Sequence, residues 1–184
     1  MGNKNDFAER GYLQYIIQVE HMPSKDLCRG EVMVPENIQK YENYRAQFKR
    51  LNRAMKEQFY LEAIFIVYAI LEDRTESILR YEGNDIKPKG DRKPGIAQKL
   101  SKIRTIARGK KSLPNKYFSD ELIDRIITWK NNRDRMIHAL LKQQLSTEEL
   151  ARIAEEGKIV ARELCNKANN YRRAVERRTS QNGN

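Results

Sequence analysis

Two side chains in the run Trp129-Lys130-Asn131-Asn132-Arg133-Asp134-Arg135-Met136-Ile137-His138-Ala139-Leu140 carry the chemistry of this chain. His138 is one of only two histidines, and imidazole is the group best suited to moving protons near neutral pH. Arg133 stands on an otherwise apolar helical stripe: at 100° per residue, Leu122, Ile126, Trp129, Ile137 and Leu140 lie within about 40° of it. A guanidinium drawn into a bundle without a partner would lose several kcal/mol of hydration. Arg133 must therefore be paired, or must face a gap that admits an anion. His138 lies about 140° round the same helix, so the two converge only if the arginine stem wraps the helix or two copies of the helix meet across a dimer axis.

Acidic residues at the end of a preceding apolar run add candidate partners. Glu72 continues the stripe Leu61, Phe65, Tyr68, and Glu76 follows one turn on. Glu72, Asp73 or Glu76 could hold Arg133 through a bidentate pair and fix it for phosphate work. Their other reading is a helix end emerging into water. Asp134 and His138, at i and i+4, are a second candidate pair, in which the carboxylate would favour one imidazole tautomer. Arg135 and Asn132 stand ready to assist with phosphate. His21, beside Met22-Pro23, reads as a loop residue with no base or anion site near it in sequence.

The stretch Arg133-Asp134-Arg135-Met136-Ile137-His138 resembles the R-x4-6-H motif of the HEPN superfamily, including the polar residue directly after the arginine. The motif helix carries the match, and the rest of the chain resembles the family by architecture only. The resemblance implies a metal-independent endoribonuclease that works as a homodimer, with Arg133 and His138 catalytic, no cofactor, and a toxin or antiphage-defence setting with an antitoxin or other regulatory protein. The H-x-Y variant of the motif is absent, because Leu140 stands where its tyrosine would be. The chemistry that fits is transesterification. The ribose 2′-OH attacks the neighbouring phosphate, a base takes its proton, an acid protonates the leaving 5′-oxygen, and a cation stabilises the phosphorane. Two histidines and two cysteines far apart in sequence offer no metal-ligand spacing. The competing expectations are a noncatalytic HEPN-like module that binds a nucleotide or protein, and a helical nucleic-acid-binding regulator.

The elements that must position these groups read as an all-α, up-and-down bundle of four to five helices. Glu36 to Tyr81 contains no proline or glycine, too long for one ordinary helix unless it breaks. Its first part, to about Gln58, is polar; the second, from Phe59 to Leu71, is apolar nearly all round and is expected to be the central buried helix. A helix over Ile96–Ala107 follows. Ser119-Asp120-Glu121 caps the motif helix, and Ser146 with Glu149 forms a capping box opening a last helix to about Arg177. Residues 1–35 form an N-terminal extension of uncertain structure, in which Tyr12–Val19 reads as a strand or a short helix and Glu31–Pro35 as a brief extended piece. Residues 36–178 form the bundle, and 179–184 a disordered tail.

Charge points to a polyanionic partner. The net charge is +11, and between Glu82 and Tyr117 eleven Lys or Arg face three acids. The loop residues Lys87, Lys89, Arg92 and Lys93, and then Arg108, Lys110 and Lys111, flank the short helix and suit contact with an RNA backbone. Their other reading is a solvated surface. The longest apolar run, Ala63–Leu71, is too short to span a membrane. The N-terminus has no apolar signal-peptide core, and Cys28 and Cys165 stand alone, which suits a reducing compartment. The expected location is the cytoplasm.

Overall fold

The computed structural model describes residues 34–84, 94–109, 112–140 and 142–182. Five α-helices occur among them: α1 (Val34–Lys56), α2 (Tyr60–Tyr81), α3 (Ile96–Ala107), α4 (Asp120–Ala139) and α5 (Thr147–Asn182), with a 3-10 turn at Pro114–Lys116. No strand occurs among the described residues. The chain divides into two compact units, Met1–Glu42 and Asn43–Asn184. In the first, the described part is helical from Val34, so Val34 and Pro35 are not extended as expected. Proline in a first helical turn loses no hydrogen bond, since that N–H has no intrahelical partner anyway. The expected piece at Tyr12–Val19 lies outside the described residues.

The second unit is the bundle. The long proline-free stretch breaks at Glu57–Phe59, where Gln58 takes a left-handed φ of 60°. Such a conformation is costly for a residue with a Cβ and ends the helix. The Phe59 N–H donates back to the Ala54 carbonyl at 2.8 Å, closing the turn. Across it Arg50 pairs with Glu62 at 2.5 Å, tying the end of α1 to the first turn of α2.

The central helix α2 buries Ala63, Ile64, Val67, Ile70, Leu71, Ile78 and Leu79. It is not buried all round, because Phe65 is 54% exposed. It packs chiefly against α5 and then α3. Lys99 of α3, only 6% exposed at its side chain, reaches Glu76 at 2.9 Å and Glu72 at 3.6 Å. Desolvating that ammonium is tolerable because two partly solvated carboxylates answer it. Arg104 pairs with Asp120 and Asp124, and Arg108 with Asp120, so α3 and α4 run antiparallel.

Helices α4 and α5 are also antiparallel, and Trp129 of α4 sits directly against Gly157 of α5. Trp129, 2% exposed, donates its Nε1–H to the Ile153 carbonyl at 2.8 Å. Gly157 makes room for the indole; a Cβ there would lie 2.5 Å from Nε1 of Trp129. Both serine caps are present, Ser119 accepting from the Leu122 N–H and Ser146 from the Glu149 N–H. Helix α5 continues to Asn182, beyond the end expected near Arg177 and through part of the expected tail. Its last hydroxyls stay within the helix, Thr179 donating to the Val175 carbonyl and Ser180 to that of Glu176.

Candidate functional site

Arg133 sits on α4 one turn beyond Trp129, so the fixed indole sets which way that stretch of α4 faces. Its side chain is 18% exposed. The guanidinium carbon lies 4.2 Å from the centre of the Tyr68 ring and 5.8 Å from that of Phe65, both on α2. Stacking on an aromatic face holds a guanidinium by attraction to the ring's negative quadrupole and leaves its N–H edge donors unspent. Arg133 donates from Nη1 to Asp134 at 2.9 Å. Its Nε–H is buried with no hydrogen-bond partner among the described residues. An unsatisfied buried donor costs about 1–3 kcal/mol, and an acceptor oxygen arriving at that edge would offset the cost.

The expectation that Glu72 or Glu76 holds Arg133 is corrected. Glu72 pairs with Lys99, and Glu76 with both Lys99 and Arg80. The buried ammonium of Lys99 captures both acids. Hydrogen bonding to Lys99, together with the charges of Lys99 and Arg80, holds the Glu76 carboxyl below the usual carboxylate range against a smaller opposing effect of burial. Of the stripe Leu61, Phe65, Tyr68, the two aromatic members meet the arginine. Tyr68 is the residue that sequence reasoning passed over, although an aromatic one turn before Glu72 was the signal for it.

Asp134 does not serve His138 either. It accepts from Lys130 Nζ at 2.7 Å and from Arg133 at 2.9 Å. Burial alone would raise the Asp134 carboxyl, but the hydrogen bonds from these two permanent cations outweigh it and bring it below its ordinary value. Lys130 lies at i−4 from Asp134 and His138 at i+4, and it is the amine that takes the carboxylate. His138 is exposed near the C-terminal end of α4. Beside it Arg135 is held by Asn132 at 2.7 Å. The result is an exposed imidazole, a stacked guanidinium with donors in hand, and a second arginine on one helix.

Of the expected RNA contacts, Arg108 is exposed but paired with Asp120 at 2.8 Å, so it is already occupied by an acid. Lys87, Lys89, Arg92, Lys93, Lys110 and Lys111 lie outside the described residues, as does His21. No three His, Cys, Asp or Glu side chains among the described residues are grouped to hold a metal ion. No described helix is long and apolar enough to cross a membrane. Comparison with known proteins finds no matching family model, no matching curated protein and no matching solved structure.

Proposed function

We propose that this chain is a metal-independent endoribonuclease that cleaves RNA by 2′-OH transesterification. The observation that carries the reading is Arg133: a mostly buried guanidinium held on Tyr68 and, among the described residues, paired with one acid and left with an unpartnered Nε–H. That is a cation prepared for an oxyanion rather than one neutralised in place. His138 supplies the proton transfer, taking the 2′-OH proton or giving one to the leaving 5′-oxygen. A second copy of α4 would bring a second imidazole for the opposite role, which makes a homodimer part of the proposal. Arg135 and Asn132 assist at the phosphate. The R-x4-H spacing and its likeness to the HEPN motif support the choice of RNA, and a toxin or defence role in the cytoplasm, restrained by a regulatory protein, belongs to the same proposal.

The test exploits the nucleophile. An oligoribonucleotide and its all-deoxy counterpart of the same sequence are incubated with the chain in EDTA. Cleavage of the first alone supports the reading, and cleavage of both, or of neither, counts against it. One observation favours a noncatalytic binding module: Tyr68 and Asp134 already account for Arg133 as a packed structural residue, and among the described residues no carboxylate orients His138. That module would bind RNA or nucleotide without turnover.

A further inference from the structure

A single exposed apolar side chain is ordinary, so Phe65, 54% exposed, is set apart by its neighbour rather than by its exposure. Its ring centre lies 5.8 Å from the guanidinium carbon of Arg133, at the outer limit of about 6 Å for a cation held on an aromatic face. Tyr68, at 4.2 Å, already supports that guanidinium. Phe65 therefore adds little to holding Arg133, and more than half of its surface stays open to solvent.

The residues around the ring leave it uncovered. Side chains on a helix lean toward its N-terminus, so Phe65 leans toward the turn that carries Leu61 and Glu62. One turn on, Ala69 is exposed, and its methyl is too short to reach over the ring. The acids flanking the ring and the guanidinium are answered by cations: Glu62 by Arg50, Glu72 by Lys99 and Asp134 by Lys130. A phosphate approaching Arg133 from this side meets paired carboxylates. An open aromatic face beside a cation with unspent donors suits a single strand, whose bases stack on rings while its backbone meets the charge. The phosphate and base of one nucleotide are joined through a single ribose, and that unit spans the 5.8 Å between guanidinium and ring.

We propose that Phe65 is the platform on which one base of the RNA stacks while the adjoining phosphate is held by Arg133. The proposal rests on the ribonuclease reading for its choice of RNA and for the phosphate on Arg133. Every base has a face to stack, so the platform accepts any sequence. An apolar side chain from a second copy would cover the ring as well, but would leave the Arg133 Nε–H without an acceptor. A nucleotide answers both groups.

The test uses the full chain carrying His138→Ala, alone and with Phe65→Ala, Phe65→Leu or Phe65→Trp. Circular dichroism and sedimentation compare fold and mass, and binding of a labelled single-stranded RNA is followed by anisotropy across a salt series. Phe65→Ala should weaken binding by roughly 5- to 150-fold, the range for one lost base stack. Phe65→Leu, apolar but without a ring face, should not restore it, whereas Phe65→Trp should. Stacking releases no counterions, so the log–log salt plots should stay parallel. An abasic strand of the same length should bind the chains with Phe65 and with Phe65→Ala alike. Unchanged affinity in Phe65→Ala, full affinity in Phe65→Leu, or an equal loss for the abasic strand overturns the proposal. A fall in mass in Phe65→Ala also overturns it and assigns the ring to a contact between copies. Weakened binding of RNA alone, with no cleavage by the unsubstituted chain, leaves the platform and removes the ribonuclease reading. Cleavage by the unsubstituted chain with unchanged affinity in Phe65→Ala removes the platform and leaves the enzyme.

Discussion

Gly157→Ala tests the packing that aims Arg133. In an exposed helix the change would stabilise by about 1 kcal/mol, because alanine is the better helix former. Here the added Cβ would stand 2.5, 2.7 and 2.8 Å from Nε1, Cε2 and Cζ2 of Trp129. Those are ring atoms of a side chain 2% exposed, so nothing flexible can yield. Either α4 and α5 separate, an overpacking cost of about 1–3 kcal/mol, or the indole turns and its buried N–H loses the Ile153 carbonyl, again about 1–3 kcal/mol. Taking one such cost near its middle and part of the other, less the propensity gain, leaves a net loss of about 2 kcal/mol. For a chain of this size that lowers Tm by roughly 4–8 °C. Trp129 is the only tryptophan, so its fluorescence in urea reports both unfolding and any change in the native seat. Wild-type stability or better, with an unshifted native spectrum, would refute the close approach.

Other expected outcomes follow from named contacts. Tyr68→Ala should lower RNA cleavage more than Tyr68→Phe, since only the ring face supports Arg133; equal losses in the two variants would argue against stacking as its support. Lys99→Met should unfold with a stability close to wild type, because an apolar chain of similar length replaces a buried ammonium and frees two partly solvated acids. The Glu76 carboxyl is depressed in the folded state, so its contribution is present above about pH 4.3, the ordinary glutamate value, and is lost as pH falls through the lower folded value. Lys99→Met should remove that part of the acid sensitivity, and an identical pH profile for the two chains would contradict it. Tyr44 donates its hydroxyl to Asp73 beneath Arg74, 3.8 Å from the ring centre; burial raises its ionisation far above the ordinary phenol range. A spectrophotometric titration of wild type against Tyr44→Phe should thus show no difference at alkaline pH until the fold is lost. Burial likewise raises the Cys165 thiol, and in a Cys28→Ser chain it should react with a thiol reagent slowly until denaturant is added.

Much of the bundle was legible because its signals are local. Ser119, Ser146 and the unbroken pattern of Ile96–Ala107 gave their helix starts and extent, and the break near Gln58 followed from a stretch too long for one helix. The continuation of α5 to Asn182 was not, since Thr179, Ser180 and Gln181 look like a tail until their positions in the helix are known. The helix that carries Arg133 and His138 was legible from its serine cap and apolar stripe. Their partners were not, because partner choice is tertiary. Nothing in the run around Glu72 reveals that Lys99, from a different helix, would take it, and i,i+4 spacing alone could not say whether Asp134 turns to Lys130 or to His138.

The most direct test of the account is cleavage of a labelled single-stranded RNA in EDTA by the wild-type chain and by His138→Ala, with the product ends identified. The account expects 2′,3′-cyclic phosphate or 3′-phosphate ends from the wild type and none from the variant, at equal RNA affinity. Unchanged cleavage by His138→Ala, or RNA binding by the wild type with no cleavage at all, would contradict it.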